Sequence, residues 1–449
     1  MKLRIASLRE PISLEIRHVC VVGLGYVGLP AAAMFAKSGL KVTGVDVDER
    51  IVNAVNEGKV LIVEPGLAEL VKGQVDAKRL IAMVKPVPSD AYIIAVPTPF
   101  RHDGTHAPDL SYIESAISSI AKSVKAGNLI VLESTSPVGT TAHIIEVLRS
   151  ARPDLRMPVP EEAIEGDIDF AYSPERVIPG STTTEIVTNA RVIGGVTARG
   201  AKRAHDLYKN FVEGDCYITD DKTAEMVKLS ENAFRDLNIA FANEISVLCD
   251  RFGIDVWEMI ELANRHPRVS ILSPGPGVGG HCISVDPWFL VAGAPDIARL
   301  IRTVREVNDF KPHYVYRTVE EMMLRHPHSH IACLGLSYKP DIDDFRESPA
   351  LEIALRLNAK WPGRVVAVDP HGKELLERDH RAGALTLVSC SQALERCGVV
   401  VCLVPHQEFR FMEKPDNKEI IDVAGIWAKQ ASEMHAREAM ADVRSWTAA

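Results

Sequence analysis

The chain has 449 residues, of which 46% are hydrophobic, and its formal net charge is -9. One hydrophobic core does not usually serve a chain of this length, so two or three domains are expected. The acidic balance argues against a general nucleic-acid binder, which would carry a basic surface. No apolar run approaches the roughly 18 residues that cross a bilayer, so we expect a cytoplasmic protein without membrane insertion.

The eight cysteines stand at positions 20, 216, 249, 282, 333, 390, 397 and 402, without a Cys-x-x-Cys pair. Such scatter is not typical of a disulfide framework or of a zinc site. Most of these side chains are expected to be buried as small hydrophobic groups, and no metal site is predicted.

From residue 18 onward the hydrophobic pattern predicts alternating strands and helices. Strands are predicted over residues 19–23, 41–46, 92–96 and 129–133, and helices over 27–38, 49–58, 110–124 and 140–149. This alternation is typical of a parallel sheet with helices on both faces.

After residue 215 the pattern changes to long helical periodicity. Helices are predicted over 223–252, 256–264 and 298–325, the last interrupted by Pro312, and strands return at 330–334, 364–368 and 399–404 around a helix over 350–359. The predicted fold is α/β, with two Rossmann-like doubly wound parallel-sheet domains, residues 1–215 and 326–449, joined by a helical central region, residues 216–325. The tail after Ala428 has little pattern, and no short internal repeat is seen.

A glycine pattern joins the first predicted strand to the first helix. Gly23, Gly25 and Gly28 stand in the run Gly-Leu-Gly-Tyr-Val-Gly, and Asp46 ends the next strand. Such glycines allow a tight turn and close approach of pyrophosphate, and the carboxylate can bind ribose hydroxyls. Since Asp46 would repel a 2′-phosphate, the predicted cofactor is NAD rather than NADP.

Thr98 and Thr135 follow two further predicted strands, in the runs Val-Pro-Thr-Pro and Glu-Ser-Thr-Ser. Loops at the carboxyl edge of a parallel sheet are where ligands bind, although each run could also be an ordinary loop with helix-capping hydroxyls.

Lys228, Asn232 and Arg235 fall at i, i+4 and i+7 of a predicted helix, so they share one face. Together they could present an ammonium, an amide and a guanidinium to a substrate, although a solvated helix face gives the same pattern. Three further segments supply reactive groups: Glu175 and Arg176 after a strand, His266 and Arg268 in a basic run, and Cys282 with Asp286 after a glycine-rich run. A solitary cysteine is more often buried and inert. The presence of these other reactive groups and of the dinucleotide-binding pattern in the same chain favours a nucleophilic Cys282.

These runs resemble the UDP-glucose/GDP-mannose dehydrogenase family over nearly the whole chain. The most specific are residues 62–65, 95–100, 132–139, 232–244, 262–268 and 274–283, the last reading Pro-Gly-Pro-Gly-Val-Gly-Gly-His-Cys-Ile. They are most similar to the members that act on UDP-N-acetyl-D-mannosamine. The resemblance implies an N-terminal NAD domain, a helical centre that forms a homodimer or higher homo-oligomer, and a C-terminal domain that binds the UDP-sugar substrate.

Carried over by motif, the residues that would contact NAD are Gly23, Gly25, Tyr26, Val27, Gly28, Asp46, Thr98, Thr135 and Arg346. The UDP-sugar would contact Arg176, Val177, Lys228, Asn232, Arg235, His266, Arg268, Gly279, Tyr338 and Lys339. One departure is Ala424, which stands where the resembling enzymes tend to carry a basic residue, and it removes one expected substrate contact.

The expected reaction is a four-electron oxidation of C6 in a UDP-N-acetylhexosamine, with UDP-N-acetyl-D-mannosamine as the favoured substrate. Lys228, Asn232 and Asp286 would serve the first oxidation. Cys282 would hold the aldehyde as a thiohemiacetal and then as a thioester, and Glu175 or Asp286 would position the hydrolytic water.

Three alternatives remain open from the sequence. UDP-N-acetylglucosamine or UDP-glucose could be the substrate of the same mechanism. A two-electron hydroxyacid dehydrogenase shares the glycine pattern, although it would need neither Cys282 nor a third domain. A non-catalytic NAD-binding protein would leave the set of reactive residues without a purpose.

Overall fold

The computed structural model describes residues 14–62, 64–101, 103, 105–159, 164–178, 180–280 and 282–427. The sparsely patterned tail after Ala428 lies outside these residues. The chain divides into two compact units, one ending at Glu231 and one beginning at Asn232. Within the described ranges, no helix combines the length and the apolar character that crossing a membrane requires.

The first unit is built on an eight-stranded sheet. Its strands are β1 His18–Val22, β2 Lys41–Val45, β3 Leu80–Met83, β4 Ala91–Ile94, β5 Leu129–Leu132, β6 Asp169–Tyr172, β7 Arg191–Gly195 and β8 Cys216–Asp220. Its helices are α1 Gly28–Lys37, α2 Glu49–Asn56, α3 Leu67–Asp76, α4 Ser111–Ile120, α5 Thr140–Ala151, α6 Thr182–Thr188 and α7 Ala198–Tyr208. The strand order is β3-β2-β1-β4-β5-β6-β7-β8, so the order reverses at β1, where ligands bind in open α/β sheets.

Both faces of this sheet are buried, as the continuous apolar runs predict. Along β1, Val19 and Val21 join one hydrophobic cluster while Cys20 and Val22 join the cluster on the other face. The sheet departs from the expected parallel arrangement at one pairing, because β7 runs antiparallel to β6. The chain between them makes only the short helix α6 before it returns, and reversed strands near the edge of a parallel sheet are common.

Helix α8, Asp221–Phe252, begins in the first unit and continues into the second. The second unit then forms α9 Val256–Ala263, α10 Asp286–Gly293 and α11 Arg299–Arg325. The sequence predicts that the helix is interrupted at Pro312, but this proline lies inside one continuous helix. A proline removes one backbone hydrogen bond, and the burial of Val304, Val315 and Val319 along this helix favours it despite this loss.

The second sheet has five parallel strands in the order β11-β10-β9-β12-β13. They are β9 Ile331–Leu334, β10 Val365–Val368, β11 Thr386–Leu387, β12 Val399–Cys402 and β13 Glu419–Asp422. The accompanying helices are α12 Pro349–Lys360, α13 Gly372–Arg378, α14 Cys390–Arg396, α15 Gln407–Arg410 and a 3-10 helix, His380–Ala384. The α/β architecture with two Rossmann-like sheets and a helical central region is therefore confirmed, while the predicted domain boundaries stay a prediction.

Candidate functional site

The glycine-rich turn after β1 is one that only glycine can form. Gly23 has a φ of 96°, and a Cβ atom there would lie 2.3 Å from the carbonyl oxygen of Ala95. A Cβ on Gly28 would lie 1.9 Å from the carbonyl oxygen of Gly23, whereas one on Gly25 would meet no atom within 4 Å. Gly23 and Gly28 thus serve the turn itself, and the open space beside Gly25 allows a ligand to approach the backbone.

Asp46 lies at the end of β2, where it holds this turn. Its Oδ2 accepts the Leu24 N–H at 2.9 Å and its Oδ1 accepts the Asp48 N–H at 3.0 Å. The carboxyl group is half-buried, and each of its oxygens retains a further lone pair. The nearby Arg50 pairs with Asp48 at 2.6 Å, so its charge is already bound to a carboxylate.

Helix α1 starts directly after the turn, with half-buried Tyr26 and Val27 preceding its first residue. Val27, at the N-cap, makes no side-chain capping hydrogen bond, so the first N–H groups of the helix can serve an anion. Open space beside Gly25, helix N–H groups and the Asp46 carboxylate, which can accept hydrogen bonds from ribose hydroxyls, together fit NAD, and the carboxylate disfavours NADP.

The two loops predicted to complete this pocket are joined by hydrogen bonds. Thr98 donates its hydroxyl to the carbonyl of Thr135 at 2.5 Å, and Ser134 donates to the carbonyl of Val96 at 2.7 Å. Both loops leave adjacent parallel strands, β4 and β5, at the edge where β1 ends. The structure therefore brings Thr98 and Thr135 together beside the glycine turn.

Glu225 of α8 caps the helix that follows this loop. Its carboxyl group accepts the backbone N–H of Gly139 and both the N–H and the hydroxyl of Thr141. Burial raises the pKa of Glu225 to about 7, although these hydrogen bonds act in the opposite direction. Sequence reasoning does not single out this residue, since a glutamate on a helix normally indicates a solvated face.

Glu175 follows β6 and lies beside the buried guanidinium of Arg191, on β7. Nη2 of Arg191 donates to Oε2 of Glu175 at 2.5 Å, and Nη1 donates to Oε1 of Glu133 at 3.0 Å. Tyr208 donates its hydroxyl to the same Glu133 oxygen at 2.9 Å, and its ring lies 4.3 Å from the guanidinium carbon. Burial raises the pKa of Glu133 to about 7, with Arg191 opposing that shift.

Arg176 and Val177 continue the chain from Glu175, and both are half-buried. Arg176 pairs with Glu231 through Nε at 3.1 Å and Nη2 at 2.5 Å, and it also donates to the carbonyl of Ala190. Its charge is therefore held by a neighbouring carboxylate in this structure, so a substrate would have to share it.

The three polar residues predicted on one face of α8 do not share one environment. Lys228 and Asn232 are buried, whereas Arg235 is exposed. Lys228 donates its Nζ to the carbonyl of Glu175 at 2.7 Å, which brings these two predicted catalytic residues together within the first unit.

In the second unit, Asn232 binds the turn that carries the thiol. Its amide donates to Oδ2 of Asp286 at 2.5 Å, and the backbone N–H of Asp286 donates to the carbonyl of Cys282 at 2.9 Å. Cys282 and Asp286 therefore occupy i and i+4 of one helical turn, which places both side chains on the same side of it. Asp286 is buried at the start of α10, while Cys282 is exposed.

All eight cysteines lie in described ranges and all are free thiols. Five of them are buried, and two, Cys216 and Cys390, are intermediate. Burial raises the pKa of Cys20 and of Cys333 to about 12, which makes these thiols poor nucleophiles. Cys282 is the exposed member of the set, as a nucleophile requires.

A buried polar network anchors this region to α11. Arg305, with 1% of its surface exposed, donates to Asp236 at 2.7 Å, and Asn308 donates to the same carboxylate at 2.7 Å. Asn243 accepts the backbone N–H of Gly275, at the start of the glycine-rich loop, and donates to Asn308. Arg305 also reaches the carbonyl of Ile283 at 3.4 Å, next to the thiol.

The predicted UDP-sugar residues that follow α9 in the second unit lie on irregular chain. A Cβ on Gly279 would lie 2.4 Å from the carbonyl oxygen of Glu347 and 2.8 Å from Cβ of Tyr338, so the glycine loop and the Tyr338 loop touch there. Lys339 is half-buried and Arg346 is exposed, with its guanidinium paired to Asp344 at 2.6 Å.

His266 and Arg268 are both exposed after α9, where the Arg268 N–H donates to Nδ1 of His266 at 3.3 Å. Ala424, at the position where a basic residue was expected, is buried in the hydrophobic cluster on one face of the second sheet. A charged side chain could not occupy that position without loss of burial energy.

The second sheet repeats the turn construction of the first. Leu336 donates its N–H to Oδ2 of Asp369 at 2.7 Å, as Leu24 donates to Asp46. Gly335 has a φ of 82° and stands at the strand around which the order reverses, as Gly23 does. In this sheet, however, the aspartate side chain is fully buried, and its Oδ2 lies 3.3 Å from Nε2 of His406.

Comparison with known proteins places the chain among dehydrogenases of nucleotide sugars. Residues 17–212, 222–310 and 332–429 match the NAD binding, central and UDP binding domains of one family. A UDP-N-acetyl-D-mannosamine dehydrogenase from Campylobacter jejuni is 52% identical over 395 residues, 88% of this chain and 97% of the relative. An NDP-N-acetyl-D-galactosaminuronic acid dehydrogenase from Ralstonia nicotianae is 50% identical over 419 residues, 93% of this chain and 98% of the relative.

A solved structure, that of a UDP-D-ManNAc dehydrogenase from Pyrococcus horikoshii, has the same fold. It is 35% identical, its TM-score is 0.81, and the match covers 90% of this chain and 99% of that one. The three domain matches in order, together with a glycine turn that fits NAD and an exposed thiol on a glycine-rich loop, show that the chain belongs to the UDP-glucose/GDP-mannose dehydrogenase family and is an NAD-dependent enzyme.

Proposed function

We propose that this enzyme oxidises C6 of UDP-N-acetyl-D-mannosamine to the carboxylate of UDP-N-acetyl-D-mannosaminuronate. The observation that supports this most directly is the turn on which Cys282 is exposed while Asn232 binds Asp286 four residues later. An alcohol dehydrogenase that stops at the aldehyde needs no thiol, whereas a covalent thioester explains one. The identity of 52% to a relative of that name supports the choice of sugar.

The balanced reaction converts one CH2OH group, one water and two NAD into one carboxylate, two NADH and three protons. NAD, when bound, accepts the hydride from C6 in each of the two oxidations. Lys228 and Asn232 would stabilise the alkoxide-like oxygen of the first oxidation by charge and hydrogen bonding, with the proton passing to Lys228 or to water held by Asp286.

Cys282 would then attack the aldehyde carbon and form the thiohemiacetal. After the second oxidation the same sulfur carries a thioester, which keeps the intermediate on the protein between two cofactor-binding events. Glu175, or Asp286, would accept a proton from the water that cleaves the C–S bond.

The reaction is tested by the ratio of NADH formed to substrate consumed. We expect two NADH per UDP-N-acetyl-D-mannosamine, with kcat/KM at least about tenfold above that for UDP-N-acetylglucosamine and UDP-glucose. A ratio of one would instead indicate a two-electron dehydrogenase. No reduction of NAD with any of these sugars would contradict an oxidative function.

A second candidate substrate is the galacto-configured sugar. The relative named NDP-N-acetyl-D-galactosaminuronic acid dehydrogenase is 50% identical over 93% of this chain. Pocket shape on the scale of an ångström decides between epimers, so UDP-N-acetylgalactosamine belongs in the same assay. A higher kcat/KM for that sugar would replace the manno assignment and leave the mechanism intact.

Cys282→Ser should abolish formation of the uronate, because an oxygen nucleophile would neither form nor release the acyl intermediate at a comparable rate. We expect a fall of at least about 1000-fold in steady-state NADH formation. Cys216→Ser, a change of a half-buried thiol elsewhere, is the matched control and should retain activity. Uronate formation at the parent rate by Cys282→Ser, measured by mass spectrometry of the product, would reject the nucleophile.

We propose further that two copies of the chain associate through α8. Phe234, Phe241 and Leu248 are exposed there at intervals of seven residues, and Phe252 follows one turn later. A heptad spacing keeps these side chains along one stripe, which a second copy can cover around a two-fold axis. The proposed assembly is a homodimer or a larger homo-oligomer, and its proposed location is the cytoplasm. The proposed domains are residues 1–215, 216–325 and 326–449.

A further inference from the structure

Arg191 connects Glu175 to a second buried carboxyl group. It is 3% exposed, and its two terminal nitrogens donate to Glu175 at 2.5 Å and to Glu133 at 3.0 Å. A guanidinium fork can hold one carboxylate through two parallel hydrogen bonds, but here its two arms go to two different carboxyl groups. The strength with which Arg191 holds Glu175 therefore depends on the charge of Glu133.

The two carboxyl groups are not equivalent. Both oxygens of Glu175 accept hydrogen bonds, one from the Arg176 N–H at 2.7 Å and one from Arg191. In Glu133 only Oε1 accepts, whereas its buried Oε2 has no hydrogen-bond partner among the described residues. A neutral carboxyl group tolerates such an oxygen far better than a carboxylate does.

We infer that Arg191 is a positioning residue for Glu175, and that the protonation of Glu133 controls how Arg191 is shared between the two carboxyl groups. This rests on the proposed function, in which Glu175 takes a proton from the hydrolytic water. The water oxygen bonds to the C6 carbonyl carbon, and the C–S electron pair returns to the Cys282 sulfur, which then takes up a proton. Arg191 fixes the orientation of Glu175 for that step and acts through Glu175 alone, without contacting a reacting atom.

The pH dependence follows from the order in which the charges appear. While Glu133 is neutral, the guanidinium charge serves Glu175 alone. Burial raises the pKa of Glu133 to about 7, so this group loses its proton as the pH rises through neutrality. The new carboxylate then competes for Arg191, and the orientation of Glu175 loosens.

Other groups around Arg191 do not titrate in the same range. Burial raises the pKa values of Tyr208, on α7, and of Cys216, on β8, so both stay neutral near pH 7. Ser173 accepts from Arg191 at 3.3 Å, and Lys228 reaches the backbone carbonyl of Glu175 rather than its carboxyl group. The Arg176 side chain pairs with Glu231 at 2.5 Å, and its backbone N–H donates to Oε1 of Glu175.

The test measures decay of the acyl-enzyme in single turnover with UDP-N-acetyl-D-mannosamine and NAD. Its rate constant is followed by intact-protein mass between about pH 6 and pH 8.5, on either side of the expected titration. Glu133→Gln replaces the titrating group by a neutral isostere. The ratio of its rate constant to that of the parent should be nearly constant below pH 6 and increase about threefold by pH 8.5.

Removing the guanidinium should expose the positioning role directly. Arg191→Met should accumulate the acyl-enzyme and lower kcat about 100-fold, with KM for the UDP-sugar changed by less than about threefold. Arg191→Lys keeps the charge without the fork and should lose about tenfold. If Arg191→Met does not fold, which NAD binding by the glycine turn reports, Arg191→Lys and Glu133→Gln still decide the matter.

Arg203→Lys is the matched control, because Arg203 is also buried in this unit and pairs with Asp169 at 2.8 Å, with no contact to Glu175. It should leave the decay and its pH profile unchanged. Parent-like decay in Arg191→Lys, or a ratio for Glu133→Gln that does not change with pH, would overturn the inference. If Glu175→Gln itself fails to accumulate acyl-enzyme, the proposed role of Glu175 fails and the inference fails with it.

Discussion

The turn after β1 cannot accept a side chain at Gly23 without moving. A Cβ there would stand 2.3 Å from the Ala95 carbonyl oxygen, and the φ of 96° is already unfavourable for any other residue. We propose that the NAD pyrophosphate approaches the backbone at this turn, so a change at Gly23 should act on stability and on cofactor binding together.

Gly23→Ala should weaken NAD binding at least about 100-fold, because the turn must open to remove the clash. Gly39→Ala is the matched control, since Gly39 has a φ of 103° but a Cβ there would meet no atom within 4 Å. The control should lose only about 1 kcal/mol of unfolding free energy and retain NAD affinity. Calorimetric titration with NAD measures the difference, and equal affinities in the two variants would contradict this account of the turn.

Helices α8 and α11 are connected by charges that hydrophobic patterning does not reveal. Asp236 and Arg305 are both buried, and Arg305 reaches the backbone next to the thiol. Burial raises the pKa of Asp236 to about 6 even though Arg305 opposes that shift. A folded-state pKa above the unfolded value means that this group contributes most stability at low pH and loses that contribution as the pH rises through about 6.

Arg305→Met should therefore destabilise the protein by about 3–5 kcal/mol at pH 8, where it leaves a buried carboxylate unpaired. At pH 5 the loss should be smaller, because Asp236 takes up a proton. Asp236→Asn combined with Arg305→Met should recover part of the stability at pH 8. Denaturant unfolding at the two pH values checks this, and an equal loss at both would show that Asp236 is not the group responsible.

Helices and strands with a clear hydrophobic periodicity were predictable from the sequence. The direction of a strand, which depends on its pairing with a neighbouring strand, was not. Helix α5 begins at Thr140 as predicted, strand β5 lies within its predicted run, and strand β4 begins one residue before its predicted run. The reversed direction of β7 has no sequence signature, since an antiparallel strand and a parallel one read alike when both faces are buried. The glycine turn was recognisable from its spacing together with the strand before it, the helix after it and Asp46 at the end of the next strand.

The same distinction applies to the candidate site. Cys282, Lys228 and Asn232 could be named because they occur together with a dinucleotide-binding pattern, in runs that resemble a known family. Arg191 and Arg305 could not be named, because an arginine at the start of a strand or on a long helix reads as a surface charge. Only the buried carboxylates that surround them in the structure reveal their role.

At the scale of the whole molecule, the exposed apolar stripe on α8, formed by Phe234, Phe241, Leu248 and Phe252, predicts that two copies of the chain associate. Phe241→Glu would place a charge in the centre of the proposed contact between two copies, where desolvation without a partner is unfavourable. We expect the dimer to dissociate at least about 100-fold more readily, as measured by sedimentation equilibrium. Phe411→Glu changes an equally apolar side chain, 91% exposed and outside the stripe, and should leave association unchanged. A monomeric parent protein would contradict the proposal.

The chain carries the same backbone turn at the head of two sheets, with two different fates for the aspartate beneath it. Asp46 remains half-exposed, whereas Asp369 is enclosed with His406. Exposing Asp369 to a ligand would therefore require a smaller side chain at position 406 and no change in the backbone of the turn. The same turn thus occurs with a carboxylate that a ligand could reach, as at Asp46, and with a carboxylate that contacts a buried histidine, as at Asp369.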